Sequence, residues 1–100
     1  MNIQFHPSGF AASEQLKEFI EKKLEKLETF FDKIIDVDVY LKLESHQQIK
    51  DKTAEIKINV PGITLFSTET AKNFEASTDL AVESLRRQLK KYKEKQKVNI

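Results

Sequence analysis

One hundred residues, 39% hydrophobic and 33% charged, define one soluble domain with a single core of ordinary size. Cysteine is absent, which excludes a disulfide framework and a cysteine-based zinc site. The formal charge of +1 hides a sorting: Leu80 to Ile100 carries seven basic residues against Glu83 and Glu94, or +5, whereas residues 1–79 carry ten basic against fourteen acidic, or −4. A basic block at one end of a folded domain is an electrostatic footprint for a polyanion, most often nucleic acid.

Met1 to Phe10 has neither a basic n-region nor an apolar run, so no signal peptide is expected. No stretch approaches the roughly 18 apolar residues of a membrane span, and a cytoplasmic location is expected. Ile3 and Phe5 alternate with Asn2, Gln4 and His6, which predicts a short strand ending at Pro7-Ser8-Gly9. Ser13 is the expected N-cap of a first helix, with Glu14 in its first turn. Leu16, Phe19, Ile20, Leu24, Leu27, Phe30, Phe31 and Ile34 fall on one apolar stripe.

The period then changes to two. Ile35, Val37, Val39, Leu41 and Leu43 alternate with Asp36, Asp38, Tyr40, Lys42 and Glu44, predicting a long strand with one wet face. Ser45 to Lys52 reads as a loop. Ala54, Ile56, Ile58 and Val60 repeat the alternation, with Thr53, Glu55, Lys57 and Asn59 outward. Pro61-Gly62 turns the chain into a fourth strand, Ile63 to Thr68. Proline at the first central position does not suit the primed turns of two-residue hairpins, so a slightly longer or bulged connection is expected. A second helix is predicted from Asn73 to about Lys95, with Phe74, Thr78, Ala81, Val82, Leu85, Leu89 and Tyr92 inward. The expected fold is α+β, in the order β-α-β-β-β-α, with two helices on one face of a four-stranded antiparallel sheet.

The helices carry the functional signal. Glu14, Glu18, Glu21, Glu25, Glu28 and Asp32 project within roughly an 80° arc of the first helix. Lys22, Lys26 and Lys33 occupy a separate arc about 40° wide. An exposed helix laced by pairs such as Glu18–Lys22 accounts for this equally well. On the second helix Arg86, Lys90, Lys93 and Lys97 flank the apolar stripe on one side, and Arg87, Lys91 and Lys95 on the other. Two acids cannot neutralise seven cations. With the helices side by side, Lys22, Lys26 and Lys33 would join one of these rows in a basic trough for phosphates. Projection leaves open which row it is.

Catalysis has little support. His6 and His46 are far apart, and no His, Asp and Glu set has ligand spacing, so neither an enzyme nor a metal site is expected, and no cofactor. Phe66 and Tyr40 fall opposite the core register. Cross-strand packing explains them better than base stacking.

The stretch Leu16–Lys17–Glu18–Phe19, Lys22–Lys23, Lys26–Leu27–Glu28 and Phe31–Asp32 resembles the first helix of the bacterial ribosome hibernation-promoting factors. The similarity continues through Val37, Val39, Leu41, Lys42 and Glu44. It resumes at Ala76, Asp79, Leu85, Arg87–Gln88–Leu89, Lys91, Lys93 and Lys95. The resemblance implies a fold similar to a double-stranded RNA-binding domain. It also implies binding in the mRNA and tRNA channel of the small ribosomal subunit, where translation is blocked and idle ribosomes are preserved. By this carry-over Lys22, Lys23, Lys26, Arg87, Lys91, Lys93 and Lys95 face rRNA, and Arg86 and Lys90 join them on charge grounds. The expected partners are rRNA and neighbouring ribosomal proteins, with no membrane and no small-molecule substrate. Off the ribosome a monomer is expected, in one ribosome-binding domain over residues 1–100 without the C-terminal dimerisation domain of the long forms. Two alternatives are a general double-stranded RNA-binding module and a protein-interaction module that uses the acidic face of the first helix.

Overall fold

The computed structural model describes residues 1–44 and 51–98. Its elements run β1 (Asn2–Ser8), α1 (Glu14–Phe30), β2 (Asp36–Leu43), β3 (Lys52–Val60), β4 (Ile63–Ala71) and α2 (Phe74–Val98). This is the expected β-α-β-β-β-α order. Most of the loop expected after Leu43, with His46, lies outside the described residues, as do Asn99 and Ile100.

The strands pair in the order β1-β2-β3-β4. β2–β3 and β3–β4 are antiparallel, but β1–β2 is parallel, with Ile3 opposite Val37 and Phe5 opposite Val39. The sheet is therefore mixed and not wholly antiparallel. A helix between two adjacent strands returns the chain to the end where it started, so the second strand must run beside the first in the same sense. Val37, Val39 and Leu41 of β2 join Ala54, Ile56, Ile58 and Val60 of β3 on one face. Leu16, Ile20, Leu24 and Leu27 of α1 and Ala81, Leu85 and Leu89 of α2 close over that face in one core. Each such large side chain contributes roughly 1.5–3 kcal/mol when fully buried.

Helix ends follow local chemistry. Ser13 Oγ accepts from the Leu16 N–H at 3.1 Å, and Asn73 Oδ1 accepts from the Ala76 N–H at 2.7 Å, so each helix starts on a side-chain cap. α1 stops at Phe30, earlier than its apolar stripe suggests. Phe31 is extended (φ −141°, ψ 106°), and its N–H closes the helix on Leu27 O. Phe31 and Ile34 are buried nonetheless, from the connection to β2. A projection cannot tell a buried loop residue from a helical one. Asp32 and Lys33 are consequently off the helix. Ile35, expected inward, is 56% exposed, since β2 begins one residue later and only its backbone N–H is engaged, by Asn59 O. Leu43, at the other end of β2, is exposed too. Thr53 faces outward yet is buried, sharing a hydrogen bond with Thr70 across β3–β4.

The β3–β4 connection is a two-residue turn, with Val60 opposite Ile63 and the register unbroken. The expected lengthening is absent because Gly62 adopts φ +87°, the positive value that a type II turn needs after Pro61. β4 extends to Ala71 and α2 to Val98, both beyond their expected ends.

Candidate nucleic-acid interface

α1 turns three stripes to three surroundings. Its core stripe is Leu16, Ile20, Leu24 and Leu27, and the flank toward α2 carries Phe19, Lys23, Lys26 and Phe30. Phe19 and Phe30, assigned to the core by periodicity, are half-buried at its edge. Lys23 Nζ lies 3.0 Å from Asp79 Oδ1 of α2 and 5.3 Å from the Phe19 ring centroid. Lys22 is exposed one step farther out. The expected Glu18–Lys22 pair does not form among the described residues; the ion pair within α1 is Glu14–Lys17, at 3.7 Å.

The row of α2 that faces α1 is the one containing Arg86 and Lys93. The Arg86 guanidinium carbon sits 4.9 Å, and Lys93 Nζ 4.8 Å, from the Phe30 ring centroid. Lys93 also donates to Phe30 O at 3.2 Å. Lys90 is exposed on the same flank, while Arg87, Lys91 and Lys95 are exposed on the outer side. Arg87 pairs with Glu83 at 3.4 Å, both more than 60% exposed, so the pair adds little to stability. Between the helices are two depressions. One, about 210 Å³, is lined by Lys23, Lys26, Asp79, Glu83 and Arg86. The other, about 410 Å³, is lined by Thr29, Phe30, Asp32, Lys33, Lys93 and Gln96.

The structure thus brings Lys23, Lys26, Lys33, Arg86 and Lys93 into one trough, with Lys22 and Lys90 at its rims. Arg87, Lys91 and Lys95 continue the charge around α2 without entering it. Ten cations (Lys22, Lys23, Lys26, Lys33, Arg86, Arg87, Lys90, Lys91, Lys93 and Lys95) meet Asp32, Asp79, Glu83 and Glu94, a surplus of six. The acidic stripe of α1 lies on the opposite flank, where Glu28 receives the Met1 amino group at 3.5 Å. Lys17, on that same side, reaches over the Phe5 ring of β1. Charge is therefore sorted across the molecule as well as along the chain. What periodicity missed was the role of Phe30 and Asp79. Phe30 shares a stripe with Lys23 and Lys26, seven and four residues earlier, and that spacing was its available signal.

The outer face of the sheet differs. His6 stacks on Tyr40 (centroids 4.6 Å apart) and pairs with Asp38 at 2.8 Å, the cross-strand packing expected of Tyr40. Phe66 is 63% exposed there. Among the described residues no group of three His, Cys, Asp or Glu is arranged to hold a metal, and no helix is long and apolar enough to cross a membrane.

A mixed-sheet α+β domain with a cationic surplus across two adjacent helices belongs to the class of proteins suited to polyanionic surfaces. Within that class, the chain belongs to the family described as sigma 54 modulation protein / S30EA ribosomal protein, whose model matches residues 2–97. It is 34% identical over 97 residues to a ribosome hibernation promotion factor of Picosynechococcus, covering 95% of this chain and 50% of that protein. It is 32% identical over 97 residues to the ribosome hibernation promoting factor of Escherichia coli K12, covering 97% and 98% of the two. The chain thus spans about half of the first relative and nearly all of the second. A ribosomal subunit interface protein from Coxiella burnetii superimposes with a TM-score of 0.82 at 28% identity, covering 93% of this chain and 98% of that one. The N-terminal domain of Protein Y from Thermus thermophilus gives 0.80 at 27% identity, covering 92% and 99%.

Proposed function

We propose that this protein is a ribosome hibernation factor that seats its helical face on rRNA in the mRNA and tRNA channel of the small subunit, inhibits translation and preserves inactive ribosomes. The observation that carries the reading is the convergence of Lys23 and Lys26 from α1 with Arg86 and Lys93 from α2 in one trough. The relatives' names, hibernation factors and a subunit interface protein, support the ribosome as target. Residues 1–100 act as one ribosome-binding domain in the cytoplasm, a monomer off the ribosome, and perform no chemistry.

Affinity arises mainly from phosphate neutralisation. Arginine forms paired hydrogen bonds to phosphate, whereas lysine acts as a point charge, and the mixed set tracks a backbone without reading sequence. With about 6 phosphates contacted, log affinity falls against log salt with a slope near −4 to −5. The test is co-sedimentation with small subunits over a salt series, with free double-stranded RNA as competitor. Saturable one-to-one binding that resists the competitor supports a shaped ribosomal site. Binding that the duplex removes easily indicates a general RNA-binding module instead.

A further inference from the structure

Phe30 is the last residue of α1, and two cations of α2 converge on it. Arg86 and Lys93, seven residues and so about two helical turns apart, both lie within 5 Å of its ring centroid. Lys93 is held twice, because its ammonium also donates to the Phe30 carbonyl at 3.2 Å. That carbonyl belongs to the negative end of the α1 dipole, and α1 has no basic residue of its own in its last turn. Arg86 lines one depression of the trough, while Phe30 and Lys93 line the other, so the Arg86 contact to the Phe30 ring links the two.

We propose that Phe30 is a positioning residue for the rRNA-binding face: its ring and carbonyl hold Arg86 and Lys93 in place before RNA arrives. The proposal rests on the reading of that face as an rRNA surface. An aromatic ring suits this task better than a carboxylate. Its quadrupole attracts a cation without cancelling the charge, so the cation remains available to phosphate. Lys23 shows the contrast, since its Asp79 partner neutralises it. Among the described residues Lys22, Lys26, Lys90, Lys91 and Lys95 carry no such tether and must be ordered on binding. Ordering one long side chain costs roughly two- to tenfold in affinity. Phe30 removes that cost for Arg86 and Lys93.

The experiment compares wild type, Phe30→Leu, Phe30→Met and Phe30→Tyr, with Lys91→Ala as a charge control. In the free protein, NMR reads the ring-current shifts of the Arg86 δ and Lys93 ε protons. Wild type and Phe30→Tyr are expected to show them upfield, and the Leu and Met variants to lose them. Small-subunit binding across a salt series is expected to weaken about five- to twentyfold in Phe30→Leu and Phe30→Met. Their salt slope should equal that of wild type, because the same phosphates are neutralised. Lys91→Ala should instead flatten the slope by about 0.7–0.9. Phe30→Tyr should bind as wild type does. Any of three results overturns the proposal: no upfield shifts in wild type, wild-type binding by a ring-less variant, or weak binding that Tyr does not restore. A wild-type protein that binds no subunit overturns the rRNA reading along with it, an outcome distinct from the other three.

Discussion

Lys23 on α1 and Asp79 on α2 meet at 3.0 Å, an ion pair that joins the two helices across the trough. The pair bridges two helices that their buried apolar stripes already set side by side, and it places a carboxylate among the cations of the trough. With side chains 33% and 51% exposed, it is worth about 0–1 kcal/mol to the fold. Its expected effect on RNA binding is larger than its effect on stability.

Asp79→Asn should therefore bind small subunits more tightly, by severalfold at low salt. Lys23 then has no carboxylate to leave, and the salt slope should steepen by about 0.7–0.9 as one more cation meets phosphate. Thermal melting should stay within about 1 kcal/mol of wild type. Equal or weaker binding in the salt series would show that Lys23 takes no part.

Charge reversal tests both helices. Lys22→Glu with Lys26→Glu, and Arg87→Glu with Lys91→Glu, should each lower ribosome affinity while leaving circular dichroism and cooperative melting intact. All four side chains are exposed, so their replacement leaves no buried charge. Near-wild-type binding by both double variants at physiological salt would falsify the reading of this helical face as an rRNA surface.

Tyr92 ties the far end of α2 to the sheet. Its hydroxyl donates to Pro61 O in the β3–β4 turn and accepts from Gln96 Nε2 at 2.9 Å. Its ring meets Phe31 edge-on, with centroids 5.8 Å apart. Tyr92→Phe should cost about 0.5–1.5 kcal/mol in urea unfolding. Amide exchange should accelerate in the last turns of α2, with the core amides Ile56 and Leu85 changed only in proportion to global stability. An unchanged midpoint would mean that the hydroxyl bonds contribute nothing net.

Thr78 offers the opposite sign. It is fully buried, and among the described residues its hydroxyl has no hydrogen-bond partner. A buried hydroxyl without a partner costs about 1–3 kcal/mol. Valine has nearly the same shape and a similar helix propensity. Thr78→Val should raise stability by about 1 kcal/mol, read as a higher urea midpoint at unchanged m. A lower midpoint would reveal a bond that the hydroxyl does make.

Much of the fold is legible in the chain because its determinants are local. Alternation at Val37, Val39 and Leu41 and at Ile56, Ile58 and Val60 fixes the inward face of two strands, since side chains alternate with period two whatever the sheet contains. Ser13 and Asn73 mark helix starts because a cap acts within three residues. The sorting of charge toward α2 is equally plain, as it depends on composition alone.

Tertiary structure decided the rest. Helical projection gives the angle of a side chain about its own axis, and says nothing of which neighbour lies at that angle. Only the packing of α1 beside α2 selects the Arg86 and Lys93 row for the trough, brings Asp79 to Lys23 and sets Phe30 between two cations. The same packing stops α1 at Phe30, because Phe31 and Ile34 reach the core from the connection. The sequence by itself determined the elements, their faces and the charge they bear. Which charges act together was left to the placement of one helix against another, a long-range result of burying two apolar stripes on one sheet.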